Sequence, residues 1–119
     1  PRTRRRIAEH ALAPSPHIRI VDPVGYLDMM LLEAHARVIA TDSGGVQKEA
    51  YFHGVPCVTM RDETEWVELL EIGANRLAGA NATKIAEAIA HPGVNPSVRS
   101  IYGDGTASLK IAEIIAGHG

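Results

Sequence analysis

The residues most able to do chemistry lie in the stretch TDSGGVQKEA, residues 41–50. There an apolar run, RVIA (37–40), gives way to a helical pattern, VQKEAYFHG. Gly44 and Gly45 fall in the first turn of that helix, where each weakens it by about 1 kcal/mol relative to alanine. A helix start offers unbonded N–H groups and a partial positive charge, which suit a phosphate. Two glycines remove the side chains that would keep the phosphate from the backbone. Ser43 can cap the helix or give its hydroxyl to the anion. Plain capping is the alternative, since Ser or Asp before a helix is common. It leaves the glycines unexplained, and Val46 stands where a capping box wants Glu or Gln. G-x-G-x-x-G and Walker patterns are both absent.

Glu49 narrows the ligand. It lies four residues beyond Gly45 on the same helix face, roughly 6 Å along the axis. That matches the reach from a diphosphate to the ribose hydroxyls of one nucleotide, and a carboxylate accepts well from a hydroxyl pair. The spacing describes a nucleoside diphosphate; a solvent-facing Glu on an ordinary helix is the competing reading. In TMRDETEW, Arg61 follows the next apolar run and is a natural bidentate partner for phosphate. It could instead pair with the acids after it, and Asp62, Glu63 and Thr64 resemble a helix N-terminal cap.

Other candidates are weaker. Asp104 or Thr106 in YGDGTASLK caps a last helix, and the glycines beside them make a tight turn that could border a ligand. The six histidines lack metal-ligand spacing and Cys57 has no partner, so no metal site is expected. His53 lies one turn from Glu49, which reads as helical coincidence.

These residues need a scaffold. IRIV (18–21), RVIA (37–40), PCVTM (56–60) and NRLAG (75–79) have strand length and composition. They alternate with helix-patterned segments at 25–36, 45–54, 64–73 and 82–90, with further helices at 3–12 and 106–117. Leu27, Met30, Leu31 and Ala34 recur at helical spacing, as do Ile85, Ala86 and Ile89, so each set is expected to be buried. Such alternation predicts a parallel sheet with right-handed crossovers, an α/β, Rossmann-like layer with helices on both faces. The glycine turn then sits at the carboxyl end of a strand, where open α/β sheets bind ligands. Residues 91–105 read as a long loop.

Bulk properties limit the alternatives. The 119 residues suit one domain, 1–119, with 45% hydrophobic and 22% charged residues. A net charge of −2 argues against a general nucleic-acid binder. No apolar run is long enough to span a membrane. A single cysteine fits a reducing cytoplasm. The opening PRTRRRI, without an initiator methionine, leads us to expect a fragment of something longer; its arginines are either an anion patch or a solvated helix start.

TDSGGVQKEAYFHGVPCVTMRDETEW resembles the non-hydrolysing UDP-N-acetylglucosamine 2-epimerases. The resemblance extends through DPVGYLDMMLLEAHARVIATDSGG, ELLEIGANRLAG and YGDGTASLKIAEII, nearly the whole chain, and PRTRRR is similar to the tail of that family's H-P-R-T segment. It implies the second domain of a GT-B-type (glycosyltransferase-B-like) two-domain isomerase, the half that holds the nucleotide. Ser43, Gly44 and Gly45 would bind the diphosphate and Glu49 the ribose, with Arg61 as a further phosphate contact. The uracil would lie near GYLDMM, at Tyr26 and Met29, where the family often has an aromatic residue at the second position. Some members carry arginine where this chain has Trp66.

The resemblance further implies interconversion of UDP-GlcNAc and UDP-ManNAc by elimination of UDP and its re-addition. UDP-sugar is the substrate and no separate cofactor is expected. The acids and bases would come from a first domain absent here, so the fragment alone is expected to be inactive. The full-length protein is expected to be a cytoplasmic homodimer. The alternatives are a hydrolysing epimerase, a GT-B glycosyltransferase donor domain, or a non-catalytic anion- or partner-binding module.

Overall fold

A computed structural model describes residues 2–93 and 101–117. In chain order the elements are α1 (Arg2–Glu9), α2 (Tyr26–Ala34), β1 (Ile39–Thr41), α3 (Gly44–Phe52), β2 (Cys57–Thr59), α4 (Val67–Glu71), β3 (Asn75–Leu77), α5 (Ala82–Ala90) and α6 (Ala107–Gly117). The strands form a parallel sheet in the order β1-β2-β3, with Ile39 level with Cys57 and Cys57 level with Asn75. Each crossover carries one helix, as parallel neighbours require.

Alternation along β2 sorts the helices onto two faces. Val58 points to one side, where it packs with Ala78 and Ala88, flanked by Val38, Ile85 and Ile89. Thr59 points to the other and donates to Asn75 Oδ1, whose amide in turn donates to Gln47 on α3. Beyond it lies a second apolar cluster of Tyr51, Leu69 and Ala74, covered by Trp66 and Tyr102. The result is a Rossmann-like sheet with α3 and α4 on one face and α5 on the other.

Four expectations change. IRIV is not a strand: residues 18–21 lie exposed, and no strand among the described residues offers them the ladder that a strand needs. The apolar spacing of α2 does not mark its buried face. Leu27 is 73% and Leu31 59% exposed, while Met30 is half-buried and Glu33 is the buried residue of the helix. In α5 the buried position is Ala88, between Ile85 and Ile89, and Ala86 is exposed. Helix α4 starts at Val67, later than the pattern of 64–73, because the Thr64 hydroxyl takes the Trp66 N–H at 3.2 Å and gives its own proton to Gln47 Oε1 at 2.7 Å. Thr64 therefore ties the loop to α3 and does not cap α4.

At the last helix, Asp104 Oδ1 accepts from the Thr106 N–H, and the Thr106 carbonyl accepts from Lys110. Part of the expected 91–105 loop, residues 94–100, lies outside the described residues, as does Pro1. The Cα radius of gyration, 17.8 Å, exceeds the roughly 13 Å of a compact domain of this size. Helices α1 and α6 bury no residue.

Candidate functional site

Ser43, Gly44 and Gly45 lie just past the carboxyl end of β1, with Asp42 between. Ser43 has extended backbone (φ −84°, ψ 127°), and its hydroxyl accepts from the Val46 N–H at 3.4 Å, so it does cap α3. Its own N–H donates to Thr41 Oγ1 at 3.0 Å, which fixes the turn to the strand end. The Gly44 and Gly45 N–H groups find no acceptor among the described residues. Capping and an open pair of donors thus coexist.

The two glycines serve different ends. A Cβ on Gly44 would collide with Glu65 Oε1 and touch Trp66 Nε1, which donates to the Gly44 carbonyl at 2.9 Å. A Cβ on Gly45 would meet only Ser43 Oγ, at 3.8 Å. Gly44 is small because protein packs against it, whereas Gly45 faces open space where a ligand can approach.

Arg61 is brought beside this turn. Its guanidinium donates to Glu65 Oε2 at 3.0 Å, and the other oxygen of the same carboxylate lies against Gly44. The acids directly after it, Asp62 and Glu63, are not its partners; the competing acid is four residues on, in the same loop. Arg61 also borders a cavity of about 400 Å³ that runs to Gly79, Asn81 and Lys84. Asn81 caps α5 there through Lys84 N at 3.0 Å.

Glu49 and His53 lie one turn apart on the α3 face that meets α2. Glu33 on α2 is 3% exposed, with His53 Nε2 3.9 Å from its Oε2 and no hydrogen-bond partner for either oxygen. Burial raises the proton affinity of Glu33, the charge of Glu49 raises it further, and His53 opposes both. Tyr26, at the start of α2, is 69% exposed. Met29 lines an apolar hollow with Ile20, Val21, Val24 and Leu32.

Sequence reasoning missed several supports. Gln47 Oε1 accepts from Thr64 and Asn75, linking the start of α3 to the strand layer through a buried network. Lys48 Nζ lies 3.7 Å over the Trp66 ring and 4.4 Å over Tyr102. The signal for Glu33 was a single acid inside the apolar run MMLLEA; for Trp66 it was an aromatic beside three acids. No cluster of metal-binding side chains occurs among the described residues. No helix is long and apolar enough to cross a membrane there.

A family model for UDP-N-acetylglucosamine 2-epimerase matches residues 1–116. The chain belongs to the UDP-N-acetylglucosamine 2-epimerase family. Within it, a UDP-2,3-diacetamido-2,3-dideoxy-D-glucuronate 2-epimerase of Pseudomonas aeruginosa is 48% identical over 98% of this chain and 33% of its own length. A UDP-N-acetylglucosamine 2-epimerase homolog of Methanococcus maripaludis is 45% identical over 97% of this chain and 34% of its own. The UDP-GlcNAc 2-epimerase of Methanocaldococcus jannaschii, solved in complex with UDP-GlcNAc and UDP, is 40% identical with a TM-score of 0.75 and matches the entire chain with 34% of its own. The chain spans about a third of the length of these epimerase relatives. Its architecture is accordingly that of one Rossmann-like portion of a GT-B-type fold.

Proposed function

We propose that this chain is the nucleotide-holding, C-terminal domain of a two-domain UDP-sugar 2-epimerase. The observation that carries the reading is the open Gly45 position at the mouth of α3, with two unsatisfied N–H groups and Glu49 one turn further along. The diphosphate would sit on the Ser43–Gly45 turn and the ribose on Glu49. Arg61 would exchange Glu65 for a phosphate oxygen, and Tyr26 and Met29 would neighbour the uracil. The relatives' names and the complex with UDP-GlcNAc and UDP support this reading.

The chemistry follows from charge. Breaking the C1–O bond leaves negative charge on the diphosphate, and preoriented N–H groups at a helix start stabilise charge that develops there. The same groups retain UDP for re-addition to C1 on its original face, while C2 takes its proton from the opposite face. Proton removal at C2 falls to acids and bases of the other domain, so this chain alone is inactive. The full-length enzyme works in the cytoplasm as a homodimer and needs no cofactor.

Incubation of the full-length protein with UDP-GlcNAc in heavy water tests the proposal. UDP-ManNAc with deuterium at C2 is expected; neither epimer nor exchange would end it. Free ManNAc with UDP would instead indicate a hydrolase, and sugar transfer to an acceptor a glycosyltransferase. The 48% identical relative favours one further reading, a sugar bearing a carboxylate and a second acetamido group. Offering both UDP-sugars to the same enzyme separates the two by kcat/KM.

A further inference from the structure

The nucleotide contacts proposed above leave the cavity beyond Arg61 unused. Its charged and polar walls come from two loops: Arg61 and Asp62 follow β2, while Asn81 and Lys84 open α5 after β3. The Gly79 N–H donates to the Arg61 carbonyl at 3.1 Å, which fixes the loops to each other. A Cβ on Gly79, where φ is +61°, would run into Asp62 Oδ1, so the Asp62 carboxylate is lodged against that turn. Arg61 is paired with Glu65 at 3.0 Å. Asp62 and Lys84 form no ion pair with each other, and Lys84 Nζ has no acid partner among the described residues.

The order of the sheet sets a direction. Glu49 lies on the α2 side of the glycine turn and the cavity on the β3 side. With strands about 4.8 Å apart, the end of β3 stands roughly 10 Å from the end of β1, room for a phosphate and a hexose ring. A UDP-sugar with its ribose at Glu49 and its diphosphate at the turn carries its sugar past Arg61 toward the cavity. The phosphate takes up the charge of Arg61, and Lys84 is the cation left for the sugar.

We propose that Lys84 is a specificity-determining residue that binds a carboxylate on the sugar, so that the substrate is a UDP-linked uronic acid taken in preference to the neutral sugar. The inference rests on the diphosphate reading above and selects the carboxylate-bearing sugar left open there. A neutral hydroxymethyl group gains little from an ammonium, whereas a carboxylate gains a charge-assisted hydrogen bond. Asp62 on the same wall accepts from sugar hydroxyls and repels the carboxylate, which turns the acid toward Lys84.

The test offers the full-length protein two substrates that differ only at C6, UDP-GlcNAc and its C6 acid. It reads the ratio of their kcat/KM, in which the amount of folded enzyme cancels. The wild type should prefer the acid about tenfold, the scale of one charge-assisted hydrogen bond. Lys84→Met should bring the ratio near one, Lys84→Arg should keep it, and Asp62→Asn should raise it several-fold. A wild-type ratio at or below one, an unchanged ratio in Lys84→Met or a fall in Asp62→Asn overturns the proposal and leaves the epimerase reading standing. Turnover of neither sugar overturns that reading, and this proposal with it.

Discussion

The indole N–H of Trp66 donates to the carbonyl of Gly44 across 2.9 Å, joining the loop after β2 to the helix start after β1. Lys48 lies over the same ring at 3.7 Å, so the brace is packed as well as hydrogen-bonded. It holds the backbone of Gly44 in place at the mouth of α3.

Trp66→Phe keeps an aromatic ring and removes the donor. We expect a stability loss of about 1 kcal/mol by urea unfolding, the usual worth of one hydrogen bond. UDP affinity should fall several-fold. An unchanged affinity together with lowered stability would make Trp66 a packing residue only.

Gly44→Ala and Gly45→Ala should diverge. The first pushes only the flexible, half-exposed end of Glu65 aside and frees Arg61 of its partner, so stability should change little. The second meets open space and should stabilise α3 by up to about 1 kcal/mol, since alanine is the better helix former. The same methyl narrows the phosphate approach, so UDP binding should weaken as the melting temperature rises. Calorimetry of both variants, with and without UDP, checks the pair.

Glu65→Gln releases Arg61 from its carboxylate partner at 3.0 Å. The exposed ion pair itself is worth little, so stability should change by less than about 1 kcal/mol. Inorganic pyrophosphate should bind several-fold tighter, because the anion no longer competes with a carboxylate. Equal affinity in the two proteins would place Arg61 outside the phosphate contacts.

Tyr102 donates its hydroxyl to Glu68 Oε1 at 2.7 Å, and this bond holds the Glu68 carboxyl below its ordinary range. Burial, and then the Glu68 bond, push the Tyr102 hydroxyl up. A carboxyl depressed by folding stabilises above its unfolded pKa, and that contribution is lost as pH falls through the folded value. Tyr102→Phe should flatten this acid limb of the stability curve, measured by urea unfolding at a series of pH values. An unaltered limb would show that the bond does not hold Glu68 in solution.

Cys57 is buried in β2, and burial pushes its thiol up to about 11. A thiol kept protonated and covered is a poor nucleophile. Maleimide at pH 8 should leave it unmodified in the folded chain and label it fully in denaturing urea. Rapid labelling of the native protein would contradict its burial.

Much of the fold was legible because strands and helices write different periods. The three paired strands, the helices between them and the parallel order all follow from short β-rich runs alternating with helical segments. The same reading failed at IRIV, where composition favours a strand but a strand needs a neighbour. It failed again on α2, where Leu27 and Leu31 mark an apolar stripe left largely exposed while Glu33 is buried.

By itself, the sequence determined the glycine turn, its place after a strand, and the one-turn spacing to Glu49, because all three are local along the chain. Only the tertiary structure decided what each residue does there. Gly44 is small for the sake of Glu65 and Trp66, some twenty residues away, and Gly45 for open space. Arg61 reaches the turn through Glu65, and Glu33 stands beside His53 although twenty residues separate them. Periodicity tells which way a side chain points on its own element. It does not tell which charge, ring or empty volume another element brings to meet it, and those meetings set the chemistry of this site.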